Sequence, residues 1–285
     1  MAAAFPFDFR MRTPGGDLGR AVASVWFARG TIPYRREKVA PTGSTVAVLV
    51  LGDPIVETAG APRAEPFWTE TGFLIGPHDR PVTNEPTGET FALGIVTTPV
   101  GAEAALGMHP GRIAGQVVDL LDAWPPAHAL RLRVLALAGD PDAMLDDVEA
   151  ALRDGLNLGV PGLERAELAV AALAADPTRS IAEIAADLGV THGHLDREFT
   201  RIVGLSPRRL ARLLRAERLL AALEVDAAVP WAELAADLGW TDQSHLIRDF
   251  RRHTGATPTA YLAARRAYAT TAPTPEAARF VPEPM

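Results

Sequence analysis

The stretch that decides the fold occurs twice: IAEIAADLGVTHGHLDREFTRIVGLSP at residues 181–207 and WAELAADLGWTDQSHLIRDFRRHTGATP at residues 231–258. The copies align at an offset of 50 residues up to Thr191 and Thr241, and at an offset of 51 residues from His194 and His245 onward. Such self-similarity indicates a structural unit that is used twice. A solenoid requires three or more repeats, so two copies favour a pair of compact units instead.

The spacing within each copy predicts two helices joined by a short turn. Apolar residues at positions 181, 184, 185 and 188 form one helix face, and Gly189 suits the end of that helix. Thr191 is a suitable cap for the next helix, in which Leu195 and Phe199 share the buried face. This arrangement is typical of a helix-turn-helix unit, whose second helix enters the major groove of DNA.

Residues 164–268 resemble the DNA-binding domain of the AraC/XylS family of transcription regulators, most specifically in DQSHLIRDFRRHTGATPTAYL at residues 242–262. The resemblance implies a seven-helix domain with helix-turn-helix units at about residues 181–203 and 231–254. It also implies one long linking helix at about residues 206–223. At 1.5 Å per residue that helix would be roughly 27 Å long, which suits recognition helices in major grooves about 34 Å apart.

The buried face of each recognition helix fixes the face that would meet DNA. The candidate DNA contacts are Asp196, Arg197, Thr200 and Arg201 in the first unit, and Gln243, Ser244, Ile247, Arg248, Arg251 and Arg252 in the second. Arg197 and Arg248 occupy matching positions and suit bidentate bonds to guanine. Arg251 and Arg252 are expected at phosphates. Gln243 either reads adenine or caps its helix, and Asp196 either accepts a hydrogen bond from cytosine or pairs with an arginine.

The first 105 residues contain short apolar runs separated by Gly and Pro, such as STVAVLVLGD at residues 44–53 and TFALGIVTT at residues 90–98. This pattern predicts a barrel or a sandwich of strands. The stretches GPHDRPVTNEPTGETFALGI, GAEAALGM and GRIAGQVVDLLDAW resemble the cupin-like N-terminal domain of an actinobacterial-type subgroup of the same family.

The expected fold class is therefore α+β, with a cupin-like β-barrel, trailing helices and a C-terminal all-α domain. We expect the sensory domain at residues 1–158, with its helices at residues 113–156, and a linker at residues 159–163. The DNA-binding domain follows at residues 164–268, and residues 269–285 have the composition of an unstructured tail.

Composition excludes several classes of protein. Residues 160–270 contain 14 Arg against 14 Asp and Glu, so they are not a basic domain and DNA binding must depend on where the arginines lie. With no cysteine, the chain has no disulfide, no thiolate metal site and no acceptor cysteine for an alkylation-sensing repair protein. His192 and His194 point about 200° apart on one helix, so we expect no metal and no cofactor. No apolar run of about 18 residues and no signal peptide is visible, which predicts a cytoplasmic protein without contact to a membrane.

We expect a transcription regulator that binds double-stranded DNA and whose residues 1–158 sense a small-molecule effector or a partner. Trp26, Phe27, Trp68 and Phe73 are candidate effector contacts, with a role in the core as the alternative. RNA polymerase and a second copy of residues 1–158 are candidate partners. The alternative functions are a cupin-type small-molecule enzyme with a DNA-binding appendage and an effector-independent DNA-binding module. The first is disfavoured by the lack of a metal triad and of a nucleophile–base pair.

Overall fold

The computed structural model describes residues 7–32, 34–60, 64–224, 229–267 and 280–283. The strands are β1 (Asp8–Arg12), β2 (Val22–Gly30), β3 (Arg36–Val39), β4 (Val46–Val50), β5 (Ile55–Thr58), β6 (Phe67–Thr69), β7 (Gly72–Ile75), β8 (Val82–Pro86), β9 (Thr90–Thr97), β10 (Val117–Asp119) and β11 (Phe280–Glu283). The helices are α1 (Gly16–Ala21), α2 (Gly101–Leu106), α3 (Leu120–Ala123), α4 (Pro126–Ala136), α5 (Pro141–Gly155), α6 (Leu163–Ala175), α7 (Ile181–Asp187), α8 (His192–Val203), α9 (Pro207–Ala222), α10 (Trp231–Asp237), α11 (Gln243–Thr254) and α12 (Pro258–Ala267).

The strands form two open antiparallel sheets. The first sheet has the order β1-β2-β9-β4-β7-β10, and the second sheet has the order β11-β3-β8-β5-β6. The α+β class is thereby confirmed, whereas the predicted closed β-barrel is wrong. Ion pairs join the edge strand β1 to helix α5: Arg12 binds Asp142 at 2.6 Å and Asp146 at 2.5 Å.

The inner strands of the first sheet are buried on both faces of the sheet. Because successive side chains of a strand point to opposite faces, Val48 and Val50 of β4 contact the second sheet, in a cluster with Ile55 and Val82. Leu49, between them in the sequence, belongs instead to the core that the sheet shares with the helices. The two sheets therefore pack face to face, and the helices cover the other face of the first sheet.

The helices predicted for residues 113–156 are only partly correct. Residues Val117–Asp119 form strand β10, which pairs with Phe73–Ile75 of β7. The β-branched Val117 and Val118 suit an edge strand. The Asp119 side chain then accepts hydrogen bonds from the backbone amides of Leu121 and Asp122, and so starts helix α3. Helices α4 and α5 occupy most of the remaining range.

The segment expected to be a linker contributes two side chains to the core. Val160 is 7% exposed and Leu163 is 3% exposed, and both join one apolar cluster that runs from the first sheet through α6, α7 and α8 to Leu213 of α9. A second cluster, centred on Phe250, holds the later helices together. The break between the two apolar cores therefore falls along α9 and not at residues 159–163.

The last described segment forms a strand, although residues 269–285 were expected to be an unstructured tail. Strand β11 pairs with β3, Val281 is buried in the second apolar cluster, and the Glu283 carboxylate binds Arg36 at 2.5 Å and Lys38 at 2.6 Å. The prediction is wrong for residues 280–283, because apolar burial and ion pairs fix them. Residues 268–279 and 284–285 lie outside the described part of the chain. None of the described helices is both long enough and apolar enough to cross a bilayer.

Candidate nucleic-acid interface

Each helix-turn-helix unit has the bounds that the repeat predicts. Helices α7 and α8 form the first unit, and helices α10 and α11 form the second. The turn passes through Gly189 at φ 68° in the first unit and through Gly239 at φ 79° in the second, where a left-handed backbone favours glycine. The linking helix α9 spans 16 residues, so it is about 24 Å long.

The caps of the recognition helices α8 and α11 explain the one-residue change of offset. The Thr191 hydroxyl accepts a hydrogen bond from the His194 amide at 3.2 Å, as predicted. In the second unit the cap is Asp242, whose carboxylate accepts from the His245 amide at 2.7 Å. Gln243 is therefore the first residue of α11 and does not cap it, so base reading is the interpretation left for its exposed side chain.

The buried faces of the recognition helices are those predicted. Leu195, Phe199 and Ile202 are at most 1% exposed in α8, and Leu246, Phe250 and His253 are at most 2% exposed in α11. Among the candidate DNA contacts, Asp196, Ile247 and Arg252 are half-buried. The exposed candidates are Arg197, Thr200, Arg201, Gln243, Ser244, Arg248 and Arg251.

Three arginines on these faces are uncommitted. The side chains of Arg197, Arg248 and Arg251 form no hydrogen bond or ion pair with another described residue. The Arg197 guanidinium lies beside Gly193, with Nη1 at 3.5 Å from the position that a Cβ would take there. This is an ordinary van der Waals distance, so the Arg197 side chain runs along the helix past Gly193.

Two other candidate contacts are engaged by the N-terminal half. Arg252 binds the Asp79 carboxylate at 2.6 Å. Arg201 binds Glu103 at 3.2 Å and also donates to the Pro161 carbonyl. Burial alone would raise the pKa of Asp79, but the hydrogen bond and charge of Arg252, together with the charges of Arg209 and Arg80, outweigh it and lower that pKa. Both arginines, expected to face DNA, thus lie at contacts between the two halves.

Each recognition helix is held by a matched triad that the sequence reasoning missed. In the first unit Arg165 binds Glu198 at 2.7 Å and lies 3.3 Å from His194. In the second unit the equivalent residues are Arg215, Asp249 and His245, with Arg215 at 3.6 Å and His245 at 3.7 Å from the carboxylate. The signal is visible in the sequence, since Arg-Ala-Glu recurs at residues 165–167 and 215–217. The repeat therefore includes α6 and α9, and the histidines have a structural role.

A cationic cleft of about 480 Å³ lies beside the first unit, between the starts of α7 and α8 and helix α9. Its lining includes Arg208, Arg212 and His192. Arg215 also borders it, but its guanidinium is committed to the Gly239 carbonyl at 2.9 Å and stacks on Trp240. A cleft with two available arginines next to a recognition helix suits a DNA phosphate.

The four candidate effector contacts lie on three different surfaces. Trp26 and Phe73 lie between the sheets, Phe27 lies in the core on the helical side, and Trp68 is 55% exposed on the outside. They therefore do not form one cluster. No group of three or more His, Asp or Glu side chains in the described residues is arranged to hold a metal ion.

Two family models match the chain. One, described as a helix-turn-helix domain, matches residues 184–264 and confirms the predicted AraC-type region. The other, a domain of unknown function (DUF6597), matches residues 10–119. The chain matches no curated protein sequence.

Similar solved structures include ToxT from Vibrio cholerae O395, which is 10% identical, covers 91% of this chain and 97% of its own, and has a TM-score of 0.45. The C-terminal domain of AraT, a response regulator from Geobacillus stearothermophilus, is 22% identical over 35% of this chain and 85% of its own, with a TM-score of 0.33. A probable AraC family transcriptional regulator from Rhodopseudomonas palustris CGA009 is 23% identical over 35% of this chain and 95% of its own, with a TM-score of 0.31.

Proposed function

We propose that the chain is a sequence-specific DNA-binding transcription regulator of the AraC type, in which α8 and α11 read successive major grooves. The observation that carries this proposal is the matched pair Arg197 and Arg248, exposed and uncommitted at equivalent positions of the two recognition helices. An uncommitted guanidinium on such a face can bond O6 and N7 of guanine.

The remaining cationic side chains suit contacts that hold the protein on the duplex. Arg251 follows Arg248 by one turn on the exposed face, and Arg208 and Arg212 line the cleft beside the first unit. Such contacts to phosphates fix the register without reading sequence. A chain with a net charge of −7 can then bind DNA, because binding depends on where these arginines lie and not on the net charge.

The N-terminal half is proposed to respond to a small molecule or a partner and to alter DNA binding through contacts that it already makes. Asp79 holds Arg252 of α11, and Glu103 holds Arg201 of α8. Any ligand that moves these carboxylates would therefore change the position of the recognition helices. RNA polymerase and a second copy of the chain are the further partners that we propose to test.

Selection of bound sequences from a random DNA pool, followed by hydroxyl-radical footprinting, tests the function. One chain is expected to protect two segments about 34 Å apart on one face of the duplex. Protection of a single major groove would show that only one unit reads DNA. A pool that is not enriched in any sequence would overturn the proposal of specific binding.

A further inference from the structure

A row of polar side chains lies on the inner face of the second sheet. Glu37 of β3 pairs in register with Asn84 of β8, and Asn84 pairs with Glu57 of β5. Glu57 shares its face of β5 with Ile55, which belongs to the apolar cluster between the sheets. The row Glu37–Asn84–Glu57 therefore points toward the first sheet and not toward solvent.

The row presents hydrogen-bond acceptors that lack donors. Glu37 is 7% exposed and Glu57 is 1% exposed. The Tyr34 hydroxyl donates to Glu37 Oε2 at 2.7 Å, but Glu57 Oε2 and Asn84 Oδ1 have no partner among the described residues. Buried polar atoms in folded proteins are nearly always hydrogen-bonded, so an acceptor pair of this kind indicates a missing donor.

Charge points to the same kind of partner. Burial raises the pKa of Glu37 to about 7 despite the Tyr34 hydrogen bond. Burial, together with the nearby charge of Glu37, raises the pKa of Glu57 well above its ordinary value. Two carboxyl groups held close together without a cation destabilise each other when ionised. A positively charged donor would relieve both the repulsion and the unmet hydrogen bonds.

The opposing wall distinguishes an organic cation from a metal ion. Magnesium and calcium require about six or more oxygen ligands. The first sheet contributes Trp26 to the inter-sheet cluster, with its ring lying so closely over Gly94 that a Cβ there would be 1.9 Å from the ring. An aromatic ring supplies no oxygen ligand, but it can cover the carbon part of an ammonium or guanidinium ligand.

We propose that the inner face of the second sheet binds the ammonium or guanidinium group of a small organic cation, with Glu57, Glu37 and Asn84 accepting its hydrogen bonds. That this cation is the effector rests on the proposed regulatory function, whereas the binding site itself does not. Strand β3 links the site to the second helix-turn-helix unit, because Lys38 donates to the Gly255 carbonyl at the end of α11.

The full chain, free of DNA, is tested by thermal shift and calorimetry with n-butylammonium and n-butylguanidinium. The comparison probes are neutral n-butanol, anionic butyrate, Mg²⁺ and Ca²⁺. The variant is Glu57→Gln, and the matched control is Glu85→Gln, at a carboxylate of β8 that is paired with Arg35. We expect saturable binding of the organic cations to the wild type and to the control, and binding about tenfold weaker or worse to Glu57→Gln.

Three results would contradict the proposed site. The organic cations could raise the melting temperature of Glu57→Gln as much as that of the wild type. The melting temperature could also stay unchanged with both organic cations, or rise only with Mg²⁺ or Ca²⁺. If Glu57→Gln does not fold by circular dichroism, Asn84→Asp replaces it. This variant adds a carboxylate and should strengthen cation binding, so unchanged or weaker binding counts against the site. Cation binding that leaves DNA affinity unaltered would remove only the effector role. Loss of sequence-specific DNA binding would remove the proposed function and not the site.

Discussion

The two helix-turn-helix units share one plan and differ in how they are attached to the N-terminal half. The first unit meets it through apolar packing: Gly43 lies so close to α9 that a Cβ would be 2.6 Å from Leu210, and Gly204 packs in the same way against Pro77. The second unit has a matching contact, with Gly255 against Lys38 and Pro81, but its apolar cluster includes no residue of the first sheet, and the ion pair of Arg252 with Asp79 holds it as well.

Because of this difference, we expect the two units to differ in how easily they move relative to the N-terminal half. Apolar burial cannot be replaced by contacts to a charged polymer, so the first unit stays fixed to the N-terminal half. An ion pair can be exchanged, because a DNA phosphate offers Arg252 the same kind of partner that Asp79 offers. The second unit is therefore the one whose position can respond to DNA and to events in the N-terminal half.

The largest expected effect compares the two buried phenylalanines. Phe199→Ala and Phe250→Ala should each reduce the free energy of unfolding by about 3–5 kcal/mol. Because Phe199 belongs to the core that includes the first sheet, its loss should reduce hydrogen-exchange protection in β4 and β9 as well as in α6–α8. The loss from Phe250→Ala should be confined to the end of α9, α10–α12 and β11. Equal deprotection of the first sheet by both variants would show that the chain has one core.

A smaller effect is expected from variants that distinguish a base contact from a phosphate contact in α11. Arg248→Ala should cost about 1–3 kcal/mol on the cognate duplex and flatten the preference at one base. Arg251→Ala should weaken all duplexes alike and lower the salt slope by about one. The affinities of both variants for cognate and scrambled duplexes, measured across a salt series, distinguish the two roles.

The first unit provides the matched control. Arg197→Ala should flatten the preference at a base about one helical turn from that read by Arg248. If Arg248→Ala weakens both duplexes equally while Arg251→Ala removes discrimination, the two roles are reversed. If neither variant changes affinity, α11 does not enter the groove.

The smallest effect is expected from variants that remove the ion pairs between the N-terminal half and the recognition helices. Asp79→Asn should release Arg252 and raise affinity for any duplex by about two- to fivefold, the range of a partly exposed ion pair. Glu103→Gln should do less, because the first unit is also held by apolar packing. Fluorescence anisotropy on a scrambled duplex measures both, and an equal gain from the two variants would contradict the difference between the units.

The pH dependence of this contact follows from the lowered pKa of Asp79. A depressed carboxyl pKa stabilises the folded contact above the ordinary value of 3.8 and loses that contribution as the pH falls through the lowered value. The affinity gain of Asp79→Asn should therefore stay constant from pH 6 to pH 8. A gain that disappears within this range would mean that another group controls Arg252.

Local features were predictable from the sequence because they depend on neighbours along the chain. The cap at Thr191, the turn at Gly189 and the buried face at Phe199 all follow from spacing within a few residues. The contact of Arg252 with Asp79 joins residues 173 positions apart, and the pairing of β11 with β3 joins the last described segment to the first part of the chain. Such contacts leave no periodic signal, so Arg252 was expected at a phosphate and residues 280–283 in a tail.

The continuity of the core across residues 159–163 has an evolutionary consequence. A hybrid made by joining another N-terminal half at this point would set Leu205, Leu210 and Leu213 against a surface that lacks the close fit of Gly43. Recombination at this point should yield hybrid proteins that fold poorly. We therefore expect the two halves of the chain to evolve together. The DNA sequence preference, in contrast, can change through single substitutions of the exposed residues Arg197 and Arg248. Lineages of this protein should therefore change their target sequences more readily than they exchange their N-terminal halves.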